Sequence, residues 1–299
     1  TARYEAGVCV KSTERNMNSS QLLQVLCSVL DQVKVLLNSV FVSAFLSALA
    51  GAGFGVWGAQ RLSSRTVRKS ELLESLAEAN AMIVLASVVT NEVLSIKQQH
   101  ILPVCKDYFD KRESFIDARA RIIAGERLEQ PLQLQANFIS IPPPSIPVEA
   151  LRNKAYSAKR IPGRSIALVS AIDQYFFLFS HSLESRTEQI KAIRANRLAG
   201  EGLVDAYFGL DSQKGGIDST YLDIMRAIQL YADDVAFFGV ELVADLEAYT
   251  ARLYEILKKI SSDVPKRTTA DFSEARDSGL LPPRENYESW LKGFPATES

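Results

Sequence analysis

Two histidines, three cysteines and one group of carboxylates are the residues through which this chain could do chemistry. His100 falls on the apolar face of a helical pattern, where a hydrogen-bonded core histidine is the expected role. Cys105 lies five residues further on, off that face. His181 sits in Phe179-Ser180-His181-Ser182 with Glu184 three residues later, but no serine occupies a nucleophile elbow and no triad can be assigned. Cys9, Cys27 and Cys105 are too scattered to join two histidines in a zinc site. Asp234, Glu241 and Asp245 recur at spacings of seven and four, with Asp233 beside the first. Di-metal bundles project carboxylates in this way, together with a Glu-x-x-His motif that is missing here. A solvated acidic face is therefore expected. Gly53-Phe54-Gly55-Val56-Trp57-Gly58 matches G-x-G-x-x-G. A dinucleotide loop, however, needs a short strand before it and an amphipathic helix opening at its glycines. Here a long apolar run precedes the glycines and a basic cluster follows. No glycine-rich stretch carries the Lys-Ser/Thr ending of a phosphate loop. No catalytic, cofactor-binding or metal residue is assigned, and no cofactor is expected.

The elements that must position these residues begin with that apolar run. From Val35 to Ala59 there is no charged side chain. At about 1.5 Å per residue, roughly 20 residues cross a bilayer core, so the run is long enough to span. Arg61, Arg65, Arg68 and Lys69 follow it, with no acid before Glu71. The positive-inside bias then puts the C-terminal side in the cytoplasm. The expected localisation is the cytoplasmic (inner or plasma) membrane, single-pass, with the body on the cytoplasmic side. Two further readings of the run are a signal peptide ending near Ala48-Leu49-Ala50 and a buried helix of a soluble protein. Within the run, Ser39, Ser43, Ser47, Gly51 and Gly55 recur every four residues. Small residues in such a row let two helices approach closely in lipid, where packing rather than hydrophobic exclusion drives association. Upstream, Leu22, Leu23, Leu26, Val29, Leu30 and Val33 read as an amphipathic helix. Met17 could be a natural start.

The rest of the chain has ordinary globular composition: 47% hydrophobic and 23% charged residues, with a net charge of −1. A sizeable core is possible, and there is no bulk attraction to nucleic acid. Three long helices are predicted, about Ser70 to Ala124, Gly163 to Leu198 and Ile217 to Ile260. Pro103 should kink or interrupt the first near Gln99, because it removes a backbone donor. The uncharged run 79–91 is too short for a second span. The third helix carries a seam of apolar residues over forty positions, which needs partners of similar length; an antiparallel bundle supplies them. Arg186, Lys191, Arg194 and Arg197 give the second helix a basic end that suits its dipole. Residues 132–139 alternate like a strand but have no obvious partner strand, so an extended loop is preferred. Ile141 to Pro147 is a proline-rich connector. Trp290, in a polar tail with Pro282-Pro283-Arg284, is expected to pack on the chain's own bundle.

The expected fold is thus all-α: one N-terminal transmembrane helix followed by a long-helix antiparallel bundle with a proline-rich connector. The divisions are 1–34 (leader and amphipathic helix), 35–60 (transmembrane helix), 61–262 (helical bundle) and 263–299 (polar tail). The expected role is protein interaction or sensing at a membrane, with self-association through the span. The expected partners are membrane lipid, a second copy, and a protein bound through the bundle or tail. The alternatives are a membrane-perturbing effector and a membrane-linked enzyme whose site the sequence does not reveal.

Overall fold

The computed structural model describes residues 19–37, 40–126, 133–195, 201–211 and 216–296. Its regular secondary structure is helical, and no β-strand ladder forms among the described residues; one isolated bridge joins Asp211 and Ile217. The helices are α1 (Ser19–Leu37), α2 (Val40–Ile96), a π turn (Lys97–Ile101), α3 (Leu102–Ile123), α4 (Val148–Ser157), α5 (Gly163–Ala195), α6 (Glu201–Phe208), α7 (Thr220–Lys258), α8 (Ser273–Asp277), a 3₁₀ turn (Arg284–Tyr287) and α9 (Glu288–Gly293). The chain divides into two compact units, one ending at Arg68 and one from Lys69 onward.

The first unit holds α1 and the beginning of α2. In α1, Leu23, Leu26, Val29, Leu30 and Val33 are all exposed. In α2, Val56 and Gly53 have no described side-chain environment, while Phe45, Leu49, Phe54 and Trp57 are exposed, Phe54 by 74%. Arg61 lies 5.3 Å from the centroid of the Trp57 ring, one turn away.

The second unit is an all-α bundle, and α7 is its centre. Leu72 and Leu76 of α2 cluster with Leu253 and Leu257 near the end of α7. Further along, Thr90 faces Gly239, Lys97 pairs with Asp233, and Tyr108 reaches Tyr221. As residue numbers rise on one partner they fall on the other, so α2 and α3 run antiparallel to α7. The same holds for α5: Arg164 meets Asp245, Tyr175 stacks on Phe238, and Arg186 lies over Tyr221. The long apolar seam of α7 is therefore buried from two sides, with Val235, Phe238, Leu242 and Leu246 at or near zero exposure. Such burial supplies the stability that helix propensity alone does not.

Two helices make a close crossing where α7 has a glycine. A Cβ added at Gly239 would lie 2.1 Å from Thr90 Oγ1. Thr90 is fully buried, and its hydroxyl donates back to Ala86 O at 2.8 Å. The missing side chain at Gly239 thus sets how near α2 comes to α7.

Pro103 does interrupt the first body helix, by widening it rather than ending it. Leu102 N–H reaches back five residues to Lys97 O across the π turn. One extra residue in that turn lets the helix pass the proline without losing its direction. The turn also shifts the register. His100, expected on the buried face, is exposed, and Ile101 takes the core position at 0% exposure.

The short α4 and α6 were not anticipated. The third long helix begins at Thr220 rather than Ile217, after a turn in which Gly209 has φ +62°. That glycine is also hemmed in: a Cβ there would lie 3.1 Å from Ser219 Cα. The described part of the alternating segment, 133–139, forms neither helix nor strand, as the loop reading has it.

Candidate functional site

The acidic residues of α7 form the most densely connected polar feature of the bundle, and they are not a solvated face. Asp234 is 7% and Glu241 8% exposed. A buried carboxylate needs charge or hydrogen-bond partners, and each of these has them. On one side, Arg164 of α5 donates Nη2 to Glu241 Oε2 at 2.8 Å and Nη1 to Asp245. On the other, Lys97 in the π turn pairs with Asp233 at 2.5 Å and donates to Leu280 O. The π turn and the first turn of α5 are what bring these two cations to α7.

The C-terminal segment adds a donor to each acidic set. Arg284, in the 3₁₀ turn, forks onto both oxygens of Glu241. Tyr287 donates its hydroxyl to Asp234 Oδ1 at 2.8 Å. Tyr287 also stacks on Phe237, centroids 3.7 Å apart and planes 6° from parallel. Trp290 meets Phe238 edge to face at 4.9 Å, and Arg164 lies 5.8 Å above its ring. Arg164 Nε then donates to Phe294 O at 2.8 Å. Arg284, Tyr287 and Trp290 are three residues apart, so a 3₁₀ turn leading into α9 sets all three toward α7. Trp290 thus packs on its own bundle as expected. The acid cluster does not behave as expected, because α5, the π turn and the tail cover it.

Burial pushes the Asp234 carboxyl above the usual range; the Tyr287 hydrogen bond pulls the other way and Asp233 adds to the rise. Burial also raises Asp245, against the opposing charge of Arg164. The Tyr287 hydroxyl is raised strongly, first by burial and then by its bond to Asp234. The protonated phenol is the form this site holds.

A second polar centre lies at the other end of α5. Arg186, assigned from sequence to the basic helix end, is 1% exposed. It donates to Ile139 O at 2.5 Å and Asn137 O at 3.0 Å. The basic spacing gave no sign of this, because its partners are backbone carbonyls of a loop distant in sequence. Beside it Tyr207 accepts from Asn137 N at 3.1 Å, and Tyr108 donates to Tyr207 O at 3.0 Å. Cys105 is buried here, and burial pushes its thiol up to about 11, which leaves it protonated and unreactive. Loop, α3, α5 and α6 are joined at this point. Its chemistry is structural.

Of the span residues, Ser39 lies outside the described residues, and Ser43 is helical with no described side-chain environment. Ser47, Gly51 and Gly55 are exposed, and a Cβ added at Gly51 or Gly55 would meet nothing within 4 Å. Arg61, Arg65 and Arg68 are exposed on successive turns of α2, and Lys69 is half-buried. His181 is exposed and stacks on Phe177. Among the described residues, no group of three or more His, Cys, Asp or Glu is placed to hold a metal ion.

Comparison with protein-family models, curated proteins and solved structures yields no match to this chain. Two helical stretches, Ser47–Ile123 and Gly163–Ala195, are long and apolar enough to cross a membrane by length and composition. Both are partly spent on the bundle core, through Met82, Ile83, Ala86 and Val89 in the first and Leu168, Ile172, Phe179 and Leu183 in the second.

Proposed function

We propose that this chain is a membrane-anchored interaction protein, with the uncharged run Val35–Ala59 as its single span and the bundle as the part that binds. The observation that carries the reading is the uncharged run itself, with bulky apolar side chains that the chain leaves uncovered: Val35 is 73%, Phe54 74% and Trp57 59% exposed. Leaving such side chains in water costs about 1.5–3 kcal/mol apiece relative to burial, which a bilayer relieves. The basic residues Arg61, Arg65, Arg68 and Lys69 favour a cytoplasmic body. The row Ser39, Ser43, Ser47, Gly51 and Gly55 favours self-association of the span. The bundle's buried side chains are packed or ion-paired rather than arranged around a reacting centre, which favours interaction or sensing over catalysis.

The test is fractionation of cells expressing the full chain with a C-terminal tag, followed by carbonate washing and protease treatment of spheroplasts. Retention in washed membranes with a protected tag is the expected result. Release of the intact chain into the soluble fraction overturns the anchor, and a shortened product outside the cytoplasmic membrane means the run is a signal peptide.

A further inference from the structure

We infer that residues 280–294 form a displaceable strap, and that the acid–aromatic face of α7 beneath it is a docking surface for a partner segment carrying an arginine followed at three-residue steps by two aromatics. Three observations on the bundle carry this.

First, the strap is shallow while its bed is deep. No residue from Ser273 to Ala296 is buried. Yet it lies on Phe237, Phe238, Asp234 and Glu241, all under 9% exposed. A segment with no core residue of its own opens at far lower cost than the helices beneath it.

Second, the bed is incomplete without a cation and a hydroxyl donor. Arg164 serves both Glu241 and Asp245, and Lys97 pairs with Asp233. Arg284 and Tyr287 supply what remains. The surface is therefore selective: two apolar rings to stack on, flanked by acids that need donors. Basic-aromatic segments meet all of these at once, and acidic or purely apolar ones do not.

Third, a hinge precedes the strap. Gly279 has φ +69° with no atom near a Cβ position. It follows α8, which Phe272, at 7% exposure, pins to the bundle. The chain before Gly279 is held as well: Asn80 accepts from Thr268 N and donates to Lys266 O, and Glu247 accepts from Ala270 N. The attachment on one side of Gly279 is deep and on the other shallow, so opening is confined to the strap.

The inference does not depend on where the N-terminal helix resides, and its test is read on detergent-solubilised full-length chain. The probe is a fluorescent peptide of residues 280–296. The host is the full chain carrying Arg284→Ala, Tyr287→Ala and Trp290→Ala, which releases the strap from its bed. Saturable binding at least about tenfold tighter than to the wild-type chain is expected. It should be lost when the peptide carries Arg284→Ala or Trp290→Ala. A folded triple variant that does not bind the peptide overturns the proposal. So does peptide-linked dimerisation of the wild-type chain, which would make the strap an exchanged element between copies. Should the triple variant fail to fold, amide exchange on the wild-type chain decides. Strap amides must open about a hundredfold more readily than those of α7; exchange at the α7 rate would make the strap part of the core.

Discussion

Tyr287 lies flat against Phe237 while its hydroxyl donates to Asp234 at 2.8 Å, so one side chain both stacks on the bundle and completes its buried acid. The two roles separate cleanly. Tyr287→Phe keeps the ring and removes the donor. The lost bond to a buried carboxylate should cost about 1–3 kcal/mol. Thermal melts of the full chain should show that drop, with Tyr287→Ala losing more.

Asp234 is expected to be held at a cost. Its carboxyl is raised above its ordinary value of 3.8, chiefly by burial. A raised folded-state value means that the associated stability is complete below the unfolded value and is lost as pH rises through the folded one. The ionised carboxylate is therefore the form the folded chain disfavours. Asp234→Asn keeps an acceptor for Tyr287 without the charge. It should raise the melting temperature at pH 7 and leave it unchanged near pH 3. A drop at pH 7 would show that the charge is needed.

Alkaline pH should loosen the whole bundle. Burial raises the hydroxyls of Tyr108, Tyr207, Tyr221 and Tyr287 above their ordinary value of 10.0. The folded chain holds these protons longer than the unfolded chain does. The stability they carry is therefore complete below pH 10 and lost as pH climbs beyond it. Melts between pH 8 and 11.5 should fall steeply in the upper half of that range. A flat profile would mean the phenols are not buried together.

The notch at Gly239 gives a paired prediction. Gly239→Ala places a methyl group against the Thr90 hydroxyl. Overpacking of this kind costs about 1–3 kcal/mol. Thr90→Ala removes the obstructing oxygen and should recover much of the loss in the double variant. Additive effects in that double-mutant cycle would contradict the crossing described.

Gly51 and Gly55 test the proposed span face. Since a Cβ at either position meets nothing in this chain, Gly51→Leu and Gly55→Leu should leave the bundle's melting behaviour intact. In membranes they should reduce cross-linked oligomer, if the small-residue row packs helix against helix. Unchanged oligomer would set that face aside.

What the sequence by itself determined follows from local periodicity. Apolar steps of three and four define the bundle helices, and Pro103 marks where the first must deviate, since a missing N–H acts on its own backbone. Trp290 could be placed on the bundle because a large ring in a polar tail has few other places to go. The uncharged run Val35–Ala59 is equally a property of the chain alone. What only the tertiary structure decided concerns partners far apart in sequence. Asp234 and Glu241 looked solvated because their donors, Tyr287 and Arg284, lie 53 and 43 residues away. Arg186 looked like a helix-end charge because its acceptors are carbonyls of a loop 47 and 49 residues earlier. His100 was misplaced by one register step, since a 3.6-residue repeat carries no sign of the extra residue in a π turn. Helical faces follow from spacing along the chain, whereas the satisfaction of a buried charge depends on what the fold brings beside it.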